Sequence, residues 1–391
     1  MMKLVCILLW CARFRAHGSR IMPRWLENFD DESTGKWSVS DGELNLYDPE
    51  SGKSIIASIS LDENDSQKFQ EPLLVARKNE LTGNGFYRVR EICNEKMVWL
   101  GHSLNKLGLI GRYVKREKRI IDLVCSVVER AHHIENETTT VLDLGANHGL
   151  YSLLAAAKGA KVWGIEPQTA LSSLVQACAA VNGFDHNSFH IFRNLILDAD
   201  PGKTIEFPEL AMHSNGEGGA ASIGMPTAQA ANLPKYAVTT ISVSKLADQC
   251  FHSQSIAFMK VDVEGVELPA LRSAMPLFQH HKIKHAVVEF GPLSRWKRLS
   301  ESGVENNGQE HAALLLASLR NLGYRTAINT AGQICKIFGN AICLNAPAPH
   351  KSAIAELKND EHLNYALSLN HELSLFIDLI HNNTLFPSLV R

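Results

Sequence analysis

The chain has 391 residues, of which 45% are hydrophobic and 20% are charged, and its 39 basic and 41 acidic side chains leave a net charge of −2. This composition is typical of a soluble globular protein, and the near-neutral balance excludes a general electrostatic attraction to nucleic acid or to an anionic membrane. The length allows one large domain with additions, or two domains.

The chain begins with a short apolar run, KLVCILLWCARFR, whose apolar part covers residues 4–12. That run is too short for a membrane-spanning helix, which needs about 20 residues. Arginines follow where a signal peptide would have its small-residue cleavage site. We interpret residues 1–22 as a leader, disordered or untranslated, with Met22 as an alternative start. We expect a cytoplasmic protein, with a signal or anchor as the minority alternative.

The eight cysteines include no C-x-x-C pair, which predicts reduced, mostly buried thiols rather than a zinc site or a disulfide framework. Residues 23–103 form a predicted accessory segment, in which KWSVSDGELNLYD has the alternation and central Asp-Gly of a hairpin. The basic run RYVKREKR at 112–119 is interpreted mainly as the solvated face of a helix, with a polyanion contact as the alternative.

From residue 141 the chain alternates short apolar strands with helices. This order predicts an α/β fold, a doubly wound, mainly parallel sheet with helices on both faces. The predicted strands are VLDLG (141–145), KVWGIE (161–166), FHIF (189–192), IAFMKVDV (256–263) and HAVVEF (285–290). The helices are predicted before the first strand (116–132), between strands at 151–159 and 171–183, after the fourth strand through Leu271, and at 311–324.

The remaining segments are less regular. Residues 212–234 are rich in small and turn-forming residues, and we interpret them as a flap near the site. CKIFGNAICLN at 335–345 resembles a two-stranded hairpin that turns at Gly339-Asn340. We expect the last 40 or so residues to be helical and peripheral.

The loop after the first predicted strand, DLGANHG, carries the first candidate binding residues. Gly145 and Gly149 allow a tight turn and a close approach to a ligand, and the next helix presents its N-terminus. An ordinary strand-to-helix turn also favours Gly and Asn, so the loop alone does not distinguish a ligand-binding loop from a structural turn. Its G-x-x-x-G spacing differs from the G-x-G-x-x-G of dinucleotide binders, and Asp143 lies inside the strand.

Glu166 ends the second predicted strand, 23 positions after Asp143. A carboxylate at about this distance accepts hydrogen bonds from the two hydroxyls of a ribose, although a solvated strand-end glutamate is the alternative. Asn194 follows the third strand, where its amide suits either a base edge or a turn.

Three carboxylates surround Gly265 in MKVDVEGVEL. Asp262 and Glu264 lie two positions apart at the end of the fourth strand, so we expect both on one face and assign both to the site. Glu267 falls in the first turn of the next helix, where the positive helix terminus explains it. Glu289 adds a carboxylate to the same rim. These rim acids could instead gather a divalent cation, but we predict no metal.

An acidic rim repels a phosphate-rich cofactor and suits a cationic one. S-adenosylmethionine (SAM) carries a ribose, an ammonium and a sulfonium but no phosphate. We therefore predict SAM as the cofactor.

Together these segments resemble the FkbM family of SAM-dependent methyltransferases. The resemblance lies in VLDLGANHGLYS, GIEPQ, FMKVDVEGVELPALRSA and VVEFGP, in that order, and spans roughly residues 104–345. NLILDAD and TTISVSKL depart from the pattern common in that family.

The resemblance implies a class I methyltransferase fold, a Rossmann-like seven-stranded sheet whose last two strands form an antiparallel hairpin. It implies SAM contacts at Asp143, Gly145, Asn147 and Glu166, to which we add His148, Gly149 and Asn194. The expected organisation is a leader (1–22), an accessory segment (23–103), the methyltransferase domain (104–347) and a helical C-terminal tail (348–391).

The expected reaction is transfer of a methyl group from SAM to a small-molecule hydroxyl, such as that of a sugar or a polyketide. Asp262 is the first candidate base, Glu264 the second and His148 the third, although a cofactor contact explains His148 equally well. One alternative is a catalytically inactive SAM-binding or scaffold protein on the same fold. A nucleotide-dependent oxidoreductase is another, weakened because the G-x-G-x-x-G loop is missing. We expect no nucleic-acid partner and no stable membrane insertion.

Overall fold

The computed structural model describes twelve segments of the chain and four single residues. The segments are 33–40, 43–47, 54–58, 73–76, 84–133, 139–198, 201–208, 233–252, 254–290, 308–330, 353–368 and 373–379, and the single residues are Leu26, Gly52, Leu293 and Trp296. The predicted leader, most of the predicted flap and the predicted hairpin at 335–345 lie outside these residues.

The N-terminal accessory segment forms a five-stranded antiparallel sheet of order β3-β2-β1-β4-β5. Its strands are β1 (Thr34–Ser40), β2 (Glu43–Tyr47), β3 (Ser54–Ser58), β4 (Asn84–Ile92) and β5 (Glu95–Gly101). The predicted hairpin is confirmed, because Ser40 pairs with Glu43 and two residues separate the strands.

The central sheet has eight strands in the order β15-β14-β16-β13-β12-β6-β7-β8. These are β6 (Thr140–Leu144), β7 (Lys161–Ile165), β8 (Phe189–Phe192), β12 (Ile256–Val261), β13 (Ile283–Phe290), β14 (Tyr324–Thr330), β15 (Ala353–Glu356) and β16 (Leu373–Leu379). The five neighbouring strands β13, β12, β6, β7 and β8 run parallel, and they are the five predicted strands. The pairings of β16, β14 and β15 are antiparallel.

Two expectations about the C-terminal part are wrong. The sheet has eight strands rather than seven, because β15 adds an edge strand next to β14. The tail after residue 347 is not simply helical, because β16 inserts between β13 and β14. β16 (LSLFIDL) pairs through its backbone with both neighbours, and periodicity in so short a run does not distinguish strand from helix.

Eight helices surround the sheets in the described part of the chain. They are α1 (Leu104–Arg116), α2 (Lys118–His133), α3 (Leu150–Ala157), α4 (Thr169–Val181), α5 (Val243–Cys250), α6 (Glu267–Gln279), α7 (Gly308–Asn321) and α8 (Asp360–Ser368). None of the helices in these segments is both long and apolar enough to cross a membrane. The basic run at 112–119 is not one continuous helix face, because it spans the break between α1 and α2.

A small third sheet, absent from the sequence prediction, covers the end of the parallel strands. It has the order β10-β11-β9, formed by β9 (Asn194–Ile196), β10 (Thr204–Pro208) and β11 (Lys235–Ile241). Its strands are short, and β9 and β10 precede the region interpreted as a flap whereas β11 follows it. The sequence pattern did not predict them because such short, separated strands have no clear periodicity.

The accessory sheet packs on the α/β domain rather than standing apart. Side chains from both parts form one buried apolar cluster. The Asn182 amide at the end of α4 accepts a hydrogen bond from the Val98 amide at 2.9 Å and donates to the Val98 carbonyl at 2.8 Å. A disulfide joins Cys93 to Cys125 of α2, so the expectation of reduced thiols is wrong for this pair. No spacing motif marks a pair 32 residues apart.

Candidate active site

The candidate site lies where β6 and β12 run side by side. From β6 the chain continues to β7 and β8 on one side, and it returns to β12 and β13 on the other side. In open α/β sheets this reversal of strand order opens a ligand-binding crevice beyond the carboxyl ends of the strands. The loop 145–149 follows β6 and the loop 262–266 follows β12, so both predicted groups of residues meet here.

Gly145 allows these two loops to touch. Its φ is +83°, and a Cβ at this position would lie 1.8 Å from the carbonyl oxygen of Asp262. The amides of Gly145 and Ala146 both donate to the Ile165 carbonyl at 2.9 Å, which fixes the loop against the end of β7. Only glycine fits at this position.

The rest of the loop turns the chain into α3. Asn147 has a φ of +51° and Gly149 a φ of +77°, so two further residues adopt left-handed backbone conformations. A Cβ on Gly149 would lie 2.6 Å from the Val175 side chain. His148 is buried, and its Nδ1 lies 2.6 Å from Oδ1 of Asn147.

Glu166 braces the glycine loop from the end of β7. Its side chain is 4% exposed, its Oε2 accepts from the Asn147 amide at 2.8 Å and its Oε1 accepts from the Gln168 amide at 2.9 Å. Glu166 therefore orders the glycine loop and lines the cleft beside it.

Asp143 lies in β6 beneath the loop and is 1% exposed. Its Oδ2 accepts from the amide of Ser152 at 3.0 Å and from the Ser152 hydroxyl at 2.6 Å. Within the described part of the chain its buried Oδ1 has no hydrogen-bond partner. Burial raises the pKa of Asp143 above the usual 3.8, although Ser152 and Lys260 act in the opposite direction. An unpaired buried oxygen of this kind calls for a donor such as a water or a ligand.

Asn194 is fully buried at the start of β9, and its amide already has protein partners. Oδ1 accepts from the Leu74 amide at 3.0 Å, and Nδ2 donates to the Thr239 carbonyl at 3.0 Å. The side chain thus ties three separate segments together at the wall of the cleft. A contact of this amide with a cofactor base stays a prediction.

The acidic loop groups its carboxylates as predicted, but for a different reason. β12 ends at Val261, and Glu264 has a φ of +52°, so Asp262 and Glu264 are brought together by a turn rather than by strand alternation. One carboxylate oxygen from each of Asp262, Glu264 and Glu289 lies within 4.8 Å of the others. This spacing would allow the divalent cation considered above, but exposed acidic groups often cluster without one.

Glu267 is a structural residue. It is fully buried, its Oε1 accepts from the Gly265 amide at 2.7 Å and its Oε2 accepts from the Trp296 indole at 2.9 Å. These bonds hold the turn that carries Glu264. The sequence explained Glu267 by its place in the first helical turn and assigned only Asp262 and Glu264 to the site. The contacts of Glu267 agree with that interpretation.

Lys260 is the site residue that the sequence analysis missed. It is 3% exposed, and its Nζ donates to Oδ2 of Asp262 at 3.0 Å. Burial disfavours the charged form, but the carboxylates of Asp262, Glu289 and Glu117 outweigh that cost and raise the pKa of Lys260 above its usual value. The sequence does contain an indication of this role, because Lys260 is the single charged residue of an apolar strand and lies two residues before Asp262.

Two cavities meet at Asp262. A narrow cleft of about 30 Å³ is lined by Gly145, Glu166, Asn194, Asp262 and Glu264. A larger cavity of about 480 Å³ lies on the other side of Asp262, between the α1–α2 junction and the ends of β12 and β13. A nucleoside-sized ligand would enter the narrow cleft only if its walls separate. Asp262 is common to both linings.

Comparison with known proteins places this site within a recognised domain. Residues 143–326 match the model of the methyltransferase FkbM domain, which confirms the resemblance stated above. The match begins at Asp143 and includes the glycine loop, Glu166, Asn194 and the acidic loop, but not the α1–α2 side of the larger cavity. Among curated proteins, none shows significant sequence similarity to the chain.

Several solved structures align with the chain at low scores. A SAM-dependent methyltransferase from Agrobacterium tumefaciens is 9% identical, with a TM-score of 0.32, and 89% of this chain and 90% of that one are covered. The plantazolicin methyltransferase BamL is 11% identical, with a TM-score of 0.30 and coverage of 70% and 90%. A SAM-dependent methyltransferase from Methanosarcina mazei is 14% identical, with a TM-score of 0.23 and coverage of 63% and 97%. Because these TM-scores are low, we base no argument on these structures. The fold and the family rest on the strand order and on the domain match.

Proposed function

Because residues 143–326 carry an FkbM methyltransferase domain, we propose that the chain transfers a methyl group from SAM to a hydroxyl of a small molecule. The observation that carries this proposal is the meeting of the glycine loop with Asp262 at the reversal of strand order. A Cβ at Gly145 would fall 1.8 Å from the Asp262 carbonyl oxygen, so the binding loop and the acid have a fixed relative position.

The residues around the narrow cleft suit the chemical groups of SAM. Glu166 lines this cleft with a carboxylate, the kind of group that binds ribose hydroxyls, and the buried, unpartnered Oδ1 of Asp143 would accept from a donor. The carboxylates of Asp262 and Glu264 favour a positively charged ligand. Bound there, the cofactor supplies an electrophilic methyl group.

Asp262 is the residue proposed to accept the proton of the acceptor hydroxyl. It lines both cavities, so a hydroxyl in the larger cavity and a methyl group in the cleft would meet beside it. Lys260 donates to Oδ2 at 3.0 Å and so fixes the orientation of this carboxylate. Such general-base assistance contributes about 10²–10⁴ to the rate, and alignment of the two reactants contributes further. Glu264 and His148 stay the second and third candidates.

The acceptor class and the location of the protein are also proposals, and they rest on fewer observations than the cofactor site does. A hydroxyl acceptor such as a sugar or polyketide is carried over from the family resemblance. The expected cytoplasmic location has one observation against it, because the Cys93–Cys125 disulfide favours an oxidising compartment. A catalytically inactive SAM-binding protein is the second candidate function.

Release of S-adenosylhomocysteine from SAM, measured over a panel of hydroxylated compounds, tests the reaction. We expect turnover with at least one compound and a decrease in kcat of about 10²–10⁴ in Asp262→Asn. Asp248→Asn, on the exposed side of α5, is the matched control and should keep wild-type activity. SAM binding without turnover of any compound would favour the inactive binding protein, and full activity in Asp262→Asn would remove Asp262 from the mechanism.

A further inference from the structure

The larger cavity has an uneven distribution of charge. Its mouth, at the junction of α1 and α2, is lined by four cations, Lys115, Arg116, Lys118 and Arg119, and by only two acids, Glu117 and Asp122. Its floor carries the carboxylates of Asp262 and Glu289. A volume of about 480 Å³ lies in the range of cavities that hold small molecules.

Arg116 and Lys118, two of the cations at the mouth, form ion pairs on the surface. Arg116 lies 2.7 Å from Glu117, and Lys118 lies 2.6 Å from Asp122. The side chains of Arg116 and Lys118 are 61% and 72% exposed, so these pairs contribute little free energy and exchange readily for a ligand.

A chain of contacts connects this mouth to the proposed base. Glu117, between the two helices, accepts a hydrogen bond of 2.5 Å from the Tyr151 hydroxyl. The Lys260 ammonium lies 5.3 Å from the centre of the Tyr151 ring and donates to Asp262. The basic segment is therefore held at a defined distance from Asp262 instead of moving freely on the surface.

We infer that the larger cavity is the acceptor site and that the acceptor carries an anionic group beside its reactive hydroxyl. The anionic group, a phosphate or a carboxylate, would lie among the cations at the mouth. The hydroxyl would point to the carboxylates at the floor, which accept hydrogen bonds only. A neutral acceptor would leave the basic mouth without a function, and a cationic acceptor would be repelled there. This inference rests on the proposed function and names its acceptor class.

Calorimetric titration of the full-length protein tests this inference with three probes that share one sugar ring, which are glucose, glucose 6-phosphate and glucuronate. The protein is saturated with S-adenosylhomocysteine. We expect the phosphate or the carboxylate probe to bind at least about tenfold more tightly than glucose, equivalent to about 1.4 kcal/mol. The two anionic probes distinguish a phosphorylated acceptor from an acidic sugar.

Variants at the mouth provide the second part of the test. Lys115→Ala/Lys118→Ala should weaken the preferred anionic probe about tenfold, and Lys115→Arg/Lys118→Arg should restore most of the affinity. Lys245→Ala, an exposed lysine of α5, is the matched control and should change nothing. Glucose binding as tightly as both anions, no binding of any probe, or an unchanged affinity in the Ala variant would overturn the inference.

The two proposals fail in distinguishable ways. If SAM binds but the anionic probes do not, the acceptor inference falls and the methyltransferase proposal stands. If the anionic probes bind at the mouth but SAM does not bind, the cavity takes anions and the proposed function falls.

Discussion

Replacement of Gly145 by alanine is expected to damage the site more than any other single-methyl change in the glycine loop. The added Cβ would lie 1.8 Å from the Asp262 carbonyl oxygen, whereas ordinary contacts of this kind begin at 3.4 Å. The two loops would have to separate by about 1.6 Å. The adjacent hydrogen bond from the Asp262 amide to the Leu144 carbonyl, now 2.9 Å long, would then be lost.

Three costs add up in the Gly145→Ala protein. The left-handed backbone at φ +83° costs a non-glycine residue roughly 1–2 kcal/mol. The lost hydrogen bond costs about 1 kcal/mol, and the overpacking between the two backbones costs about 1–3 kcal/mol. We expect the free energy of unfolding to decrease by about 3–6 kcal/mol, and SAM affinity to decrease with it because the loop moves.

Urea unfolding, followed by tryptophan fluorescence, measures this loss against a matched control. Gly323 has a φ of +86°, and a Cβ added there would have nothing within 4 Å, so Gly323→Ala carries the backbone cost without the clash. We expect Gly323→Ala to lose only the roughly 1–2 kcal/mol of the backbone cost. Equal losses in the two variants would refute the close approach of the glycine loop to Asp262.

Three further predictions concern charge and covalent linkage. Lys260→Met should lower the free energy of unfolding by about 1–3 kcal/mol at neutral pH. Loss of a partner from a fully buried ion pair costs about 3–5 kcal/mol, and Asp262 is 31% exposed; a change below about 0.3 kcal/mol would contradict the buried pair. Because burial raises the pKa of Asp143 above 3.8, the folded protein keeps a proton that the unfolded chain releases, so its stability contribution falls as the pH rises through that interval. Asp143→Asn should therefore gain stability relative to the wild type as the pH rises above 3.8 in urea titrations, and a difference independent of pH would contradict the shift. Reduction of the Cys93–Cys125 disulfide, which closes a loop of 32 residues, should cost about 3–4 kcal/mol. The reductant should lower the Tm of the wild type and leave that of Cys93→Ser/Cys125→Ser unchanged, and the same Tm for all samples would refute the linkage.

The parallel part of the sheet followed directly from the sequence because each strand is a short apolar run between helices of clear periodicity. The same pattern located Glu166 and Asp262 at strand ends and Asp143 inside the first strand, since the carboxyl ends of parallel strands lie at one edge. β16 was not predicted, because its place between β13 and β14 depends on long-range pairing that local periodicity does not encode.

The side-chain contacts of the site were less predictable than its location. Lys260 was overlooked because a lysine within an apolar strand is explained only by its partners, which come from other segments of the chain. Glu264 was assigned to the correct group through a strand register that the positive φ at this residue rules out. The role of Asn194 as a tie to Leu74 depends on a segment 120 residues away.

The central claim is that the glycine loop and its two acids form a SAM site, and calorimetric titration of the purified chain with SAM tests it most directly. We predict micromolar binding by the wild type, loss of binding in Asp143→Ala and in Glu166→Ala, and unchanged binding in the surface control Asp248→Ala. Failure of a folded wild-type protein to bind SAM, or wild-type affinity in both acidic variants, would contradict the assignment.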